Sequence, residues 1–333
     1  SNYILTIQEN TDNLISFNTS TKEKNIHKAN FPIEIQDPKF FWNCRLLQNE
    51  TDVFICGGHD DNNTPSKKCY YINTNFFKYQ SQNHQNPLIN VNLINLKQMN
   101  NSHWAHSMIF LSSKFLFCIS GYNNKKCEFL DIELNKWKNI ADVNTWRMDA
   151  NLFIFNNSYL YIFCGFNDNN KFNKPFVKKI ERIKLFNKGI DIPSSVNKWE
   201  FVNLFETQDN NNIDFNINLL IPCMGIVNLS KNKFLLLGGD TSDYSNFDCS
   251  NSPKGFSGCE TNEINSKGKL EFHDRILMVK VNYLGNFEVE KCRERLNNES
   301  CFTTMKSFTC VNKTFYGFDH GHELLEIENC FTD

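Results

Sequence analysis

Short apolar runs, each closed by a glycine and then a polar or aromatic residue, recur along this chain. The instances are Phe54-Ile55-Cys56-Gly57-Gly58-His59, Phe117-Cys118-Ile119-Ser120-Gly121-Tyr122, Ile162-Phe163-Cys164-Gly165-Phe166, Leu235-Leu236-Leu237-Gly238-Gly239-Asp240 and Phe315-Tyr316-Gly317-Phe318-Asp319. Self-similarity of this kind points to a repeat architecture and outweighs any local reading. Around the second copy the pattern predicts a whole unit. Ser107–Leu111 reads as a first strand and Phe115–Ile119 as a second, continuously apolar as a strand covered on both faces should be. Cys127-Glu128-Phe129-Leu130-Asp131-Ile132 alternates like a half-buried third strand. After the turn Glu133-Leu134-Asn135-Lys136, an outer strand opens at Trp137.

The cadence of Asn or Asp, a turn and then an aromatic residue returns at Asn73-Thr74-Asn75-Phe76-Phe77, at Asn197-Lys198-Trp199 and at Asn282-Tyr283-Leu284-Gly285-Asn286-Phe287. Asn and Gly tolerate the left-handed backbone that tight hairpins need. Five units follow, at 43–80, 99–142, 147–205, 218–292 and 302–333. A sixth, at 1–28, is predicted from Tyr3–Ile7 and Asn13–Phe17 as second and third strands, without a first strand or a glycine. Gly58, Gly121, Gly165, Gly239 and Gly317 are expected near one face, around a common axis.

Over essentially its whole length the chain resembles the kelch-repeat family of β-propellers. The residues that carry the resemblance are the apolar runs with Gly57-Gly58 and Gly238-Gly239, the third-strand aromatics Tyr70, Tyr71 and Phe129, and Trp137 or Trp199 in the fourth strand. Ser120-Gly121, Cys164-Gly165 and Tyr316-Gly317 keep only one glycine of the pair. The resemblance implies an all-β fold: one six-bladed kelch-type β-propeller of four-stranded antiparallel blades across residues 1–333, with 1–28 beside 302–333. Six blades amount to about 55 residues each, against roughly 50 for a kelch blade.

Composition sharpens this picture. Apolar residues make up 40%, and 31 Phe supply ample material for several sheet interfaces. The net charge of −2 with scattered basic residues excludes the concentrated positive face that nucleic acid requires. No apolar stretch approaches the roughly 20 residues of a membrane helix, and no membrane insertion is expected. The 13 cysteines are odd in number, with Cys56, Cys118 and Cys164 in equivalent second strands and Cys223 and Cys310 in first strands. They read as buried thiols in a reducing cytoplasm, with Cys249–Cys259 as the one disulfide pair held open.

No constellation in the chain specifies chemistry. His103 and His106, on an extended strand, would point to opposite faces. His320 and His322 would share a face but lack a third ligand with a defined place. Cys249 and Cys259 lack the short spacing of a zinc site, and neither a phosphate-binding glycine loop nor a nucleophile elbow is present. No metal, cofactor or catalytic residue is expected. The alternative is an enzyme acting on a sugar or small molecule at the central mouth, as some propellers resembling kelch proteins are.

The resemblance implies that loops after the second strands and between units gather on one face, where rigid sheets hold them. That face would carry Arg45, His59, Asp60, His103, Tyr122, Arg147, Phe166, Asp240 and His320, with Trp42, Trp104 and Trp146 among them. Aromatic residues with arginine are what protein hot spots favour. The expected partner is a protein or peptide, and kelch domains commonly serve ubiquitin-ligase or cytoskeletal assemblies. Arg45 and Arg147 are placed at equivalent entries to first strands. The long loop 240–274 is expected to fold over the same face.

Overall fold

The computed structural model describes residues 3–32, 39–49, 52–73, 90–165, 167, 177, 179–185, 197–202, 225–237, 276–283, 285, 287–293, 307–311, 314–318 and 324–327. Among these there is no helix, and the strands group into six sheets. The first sheet holds β1 (Tyr3–Ile7), β2 (Asn13–Asn18), β3 (Lys24–Asn30) and β7 (Asn90–Asn92). The second holds β4 (Arg45–Gln48), β5 (Asp52–Cys56), β6 (Cys69–Asn73) and β8 (Ile94–Asn95). The third is β9 (Ser107–Leu111), β10 (Phe115–Ile119), β11 (Cys127–Asp131) and β12 (Lys136–Ile140). The fourth is β13 (Asn151–Phe155), β14 (Tyr159–Phe163), β15 (Ile180–Lys184) and β16 (Glu200–Val202). In the fifth, β17 (Gly225–Ser230), β18 (Lys233–Leu237), β19 (Ile276–Val281) and β20 (Phe287–Arg293) lie side by side. The sixth has β21 (Ser307–Val311), β22 (Thr314–Phe318) and β23 (Leu324–Ile327).

Strands in each sheet lie in ascending chain order, with the outer strands β7 and β8 of the first two sheets coming one after the other in the chain. Pairing is antiparallel except between β3 and β7. First strands touch from sheet to sheet in the series β1–β4, β4–β9, β9–β13, β13–β17, β17–β21 and β21–β1. β1 also meets β22.

The alternation of strand faces builds the core in layers between sheets. On β10, Phe117 and Ile119 join Phe129 of β11 in packing against Leu152, Leu160 and Ile162 of the fourth sheet. Leu116 and Cys118, on the other face, pack with Leu130 and Trp137 against Phe54, Cys56 and Cys69 of the second. A second strand is thus apolar throughout because each face meets a neighbouring sheet. Between the fourth and fifth sheets, Phe153 and Phe163 meet Phe234 at 4.6 and 5.4 Å between ring centroids. Each such ring contributes roughly 1.5–3 kcal/mol by burial.

Several sequence expectations need correction here. β11 is buried at every position, Glu128 included, rather than half-buried. Tyr3–Ile7 is the first strand of its sheet, not the second, and the fourth place is filled by β7 from far along the chain. The outer strand of the second sheet is β8, beyond the 43–80 unit. Gly317 lies inside β22, opposite Phe308 and Leu325, not past the strand end. Gly239 and loop 240–274 lie outside the described residues, as do Cys249 and Cys259.

The cysteine expectation also changes. Cys56 and Cys69 stand directly opposite in the β5–β6 register and form a disulfide, with Cα atoms 4.2 Å apart. The equivalent places in the third sheet hold Ile119 and Cys127, so no second sulphur is available there. Cys44, Cys118, Cys127 and Cys164 are buried free thiols. Burial pushes the Cys127 thiol up to about 12 and raises Cys118 and Cys164 as well, which leaves them unreactive.

Candidate partner-binding face

Two linkers carry the chain from one sheet into the next, and both are pinned in the same way. In the first, the Glu128 carboxylate of β11 accepts the backbone N–H groups of Asn100 and Asn101 at 2.8 and 2.9 Å. His103 Nε2 lies 3.1 Å from the same carboxylate. In the second, Glu181 of β15 accepts the N–H groups of Asn144 and Thr145 at 2.7 and 3.2 Å, and Arg147 Nη2 at 2.5 Å. The indole N–H of Trp137 donates to the Lys97 carbonyl, and that of Trp199 to the Ala141 carbonyl, both at 2.8 Å. Positions 97, 100 and 103 therefore correspond to 141, 144 and 147.

These ties are buried, and the burial decides their role. His103, Glu128, Arg147 and Glu181 expose no surface. Desolvation draws the Arg147 guanidinium below its ordinary value while the Glu181 charge opposes that shift. The guanidinium also donates to the Lys179 carbonyl at 2.7 Å. A buried charge pair of this kind is held by its partners and by full hydrogen bonding. His103 and Arg147, expected on the binding surface, are thus interior fasteners. His59 is also interior, only 2% exposed. Its Nδ1 sits 2.9 Å from the Asp60 carbonyl, and burial lowers its pKa.

Arg45 and Arg147 are not equivalent. Arg45 opens β4, as Ser107 opens β9 and Asn151 opens β13, whereas Arg147 stands four residues before its strand. Arg45 Nε donates to the His106 carbonyl at 2.9 Å, and its guanidinium pairs with Asp149. Ser107 Oγ donates to the Ala150 carbonyl at 2.7 Å. Arg45 and Ser107 thus do the same work, tying one first strand to the next linker. His103 and His106 do not lie on opposite faces of a strand. Ala105 between them has φ +49°, and the two rings approach to 5.4 Å. Among the described residues neither ring nitrogen of His106 has a hydrogen-bond partner, and burial, then His103 and Arg45, push its pKa well down.

The turns that close β5 and β10 deliver the surface. Gly57-Gly58 and Ser120-Gly121 both have positive φ, so the chain folds back onto the linker. Gly58 N–H donates to the His103 carbonyl, and Gly121 N–H to the Arg147 carbonyl. At Gly121, with φ +130°, a Cβ would stand 2.6 Å from the Trp104 carbonyl oxygen, so the approach demands glycine. Tyr122 N–H then donates to that same oxygen at 3.0 Å.

Side chains from these turns and linkers form a row of rings. His59 meets Trp104 edge-on at 4.1 Å, Trp104 meets Tyr122 at 4.5 Å, and Tyr122 meets Trp146 at 5.8 Å. Trp104 and Tyr122 are half-buried, while His59 and Trp146 lie beneath the surface. Asp60 is half-exposed beside them. Its carboxylate accepts the N–H groups of Asn62 and Thr64, which hold it below the usual carboxylate range. Asp61, more exposed, pairs with Lys39 at 2.8 Å and accepts Trp42 Nε1 at 3.3 Å.

Of the residues assigned to this face from sequence, Arg45, Asp60 and Tyr122 reach solvent in part, and Phe166, Asp240 and His320 lie outside the described residues. Glu128 and Glu181 were missed. Their signal is a glutamate at the second position of the third strand, flanked by buried apolar residues on its N-terminal side, repeated in two units. Among the described residues, no group of three or more metal-ligating side chains converges. No described helix is long and apolar enough to cross a membrane. A search of protein-family models and of curated proteins finds no match to this chain.

Proposed function

We propose that the chain is a kelch-type six-bladed β-propeller that recognises a protein or peptide partner and performs no catalysis. Support for the ring comes from the six sheets, each in ascending chain order, whose first strands touch in a series that returns from β21 to β1. The observation that carries the binding reading is the aromatic row. Trp104 and Tyr122 present partly exposed rings, and buried His59 and Trp146 hold them from behind. Rigid aromatic side chains with little rotamer freedom to lose are the anchors around which protein interfaces form.

Four buried free thiols fit a reducing cytoplasm as its compartment, while the Cys56–Cys69 disulfide weighs against it. Within it, a substrate adaptor for a ubiquitin ligase or a cytoskeletal scaffold is the role we assign. The test is affinity capture with the intact chain against a Trp104→Ala/Tyr122→Ala variant whose melting temperature matches within a few degrees. Specific partners lost by the variant support the reading. Partners retained in full, or turnover of a small molecule by the purified chain, would overturn it.

A further inference from the structure

The two linkers share their carboxylate and indole ties, but where the second uses arginine the first uses histidine. Arginine stays charged throughout the accessible pH range, whereas histidine titrates between about pH 5 and 8. The contacts of His103 make its protonation consequential. Nδ1 lies 2.7 Å from the Ser120 carbonyl oxygen, and Nε2 lies 3.1 Å from Glu128 Oε1. Both partners accept hydrogen bonds, and a neutral imidazole carries one N–H. Only the imidazolium satisfies both at once.

A third contact supplies the neutral form with an alternative. Asn124 Nδ2 lies 3.3 Å from His103 Nδ1 and already donates to the Ser102 carbonyl at 2.8 Å. With the proton kept on Nε2 facing Glu128, Nδ1 accepts from Asn124, and the Ser120 carbonyl loses its donor. Ser120 has φ +60° and immediately precedes Gly121 and Tyr122. The side chain that senses the proton therefore grips the turn carrying Tyr122, while its own neighbour in sequence is Trp104.

We propose that His103 is a proton-sensitive fastener that sets the position of the Tyr122 turn against Trp104, so that the aromatic row changes its geometry with pH. This rests on the binding role assigned to that row, but the switch itself is measurable without any partner. The groups around His103 are few. Glu128 faces it from β11, and His106 stands 5.4 Å away on the same linker, next to Arg45 of β4. Cys118 on β10, an un-ionised thiol, feels Glu128. Lys67 donates to the Asn100 carbonyl, and Arg147 is neutralised by Glu181. His59 lies behind Trp104. Among the described residues Glu128 is thus the one carboxylate in direct contact with the ring.

The experiment uses the full chain labelled with 15N-histidine. Ring-nitrogen NMR shifts are followed from pH 5 to 8, and the His103 signals are assigned with His103→Arg or, if that variant does not fold, His103→Gln. Expected is a transition from imidazolium to the Nε2–H tautomer, accompanied by a change in tryptophan fluorescence that Trp104→Phe removes. Asn124→Ala deletes the donor to the neutral form and should move the midpoint to higher pH. His103→Arg should abolish the fluorescence transition. A His103 ring whose shifts stay constant across this range overturns the proposal, as does a fluorescence change that survives His103→Arg or a midpoint unmoved by Asn124→Ala. If the NMR transition is present but partner capture is insensitive to Trp104 and Tyr122, the switch stands and the binding reading alone fails.

Discussion

Replacing Arg147 with Met removes the charge that faces Glu181 while keeping most of the side chain's length and apolar stem. In the native chain Glu181 has three donors, two of them backbone N–H groups, and the third is this guanidinium at 2.5 Å. Loss of the guanidinium leaves a fully buried carboxylate without its counter-charge Arg147, which costs on the order of 3–5 kcal/mol. Glu181→Gln also costs, because its amide end must turn a donor toward an N–H. An orphaned buried group is worth about 1–3 kcal/mol. The double variant has neither charge, so its loss should fall below the sum of the singles by at least ~1 kcal/mol. Urea unfolding followed by fluorescence measures all four corners of the cycle. Arg45→Ala, whose ion pair with Asp149 is partly open to water, supplies the contrast at about 0–1 kcal/mol. An Arg147→Met variant as stable as the native chain, or strictly additive losses, would refute the assignment of Arg147 to the interior.

Three further outcomes are expected. Trp137→Phe and Trp199→Phe each lose one indole N–H bond to a linker carbonyl and should cost roughly 1 kcal/mol, against about 3–5 kcal/mol for truncation to Ala, read from denaturant midpoints. Alkylation of the denatured chain before reduction should leave Cys56 and Cys69 unmodified and label Cys44, Cys118, Cys127 and Cys164, as peptide mass mapping would show. His106 has its folded pKa depressed below 6.5, so the unfolded chain takes up the proton first. The stability it contributes is intact above that value and falls on acidification by up to about 1.4 kcal/mol per pH unit, and His106→Phe should flatten this acid limb in pH-dependent urea titrations.

What the sequence made legible follows from what is local. Phe115–Ile119 and Tyr159–Phe163 declare themselves as strands because every residue is apolar and a left-handed turn follows at once. The pairing of Cys56 with Cys69 was not legible, since it depends on a register set by the intervening turn rather than on spacing. Arg147 was misplaced for a similar reason. An arginine near a strand entry reads as surface unless the buried acid opposite it, Glu181, is recognised. That acid is the second residue of β15, 34 residues along the chain from Arg147 and beyond the reach of any local pattern. β7 was invisible because a parallel partner for β3 comes from beyond the whole second hairpin, where no short-range pattern can announce it.

That strand has a consequence for how the chain comes off the ribosome. β3 ends at Asn30, but its outer neighbour is Asn90–Asn92, and the very next residues, Ile94–Asn95, complete the second sheet. Val91 and Leu93 are buried where the segment crosses from one sheet to the other. At about 5–20 residues per second, the N-terminal sheet waits several seconds with an open edge while the second is synthesised. Both edges are then sealed by one six-residue segment, in a single event. The first two sheets should accordingly gain protease resistance together during synthesis, and nascent chains stalled before residue 90 should show protection of neither.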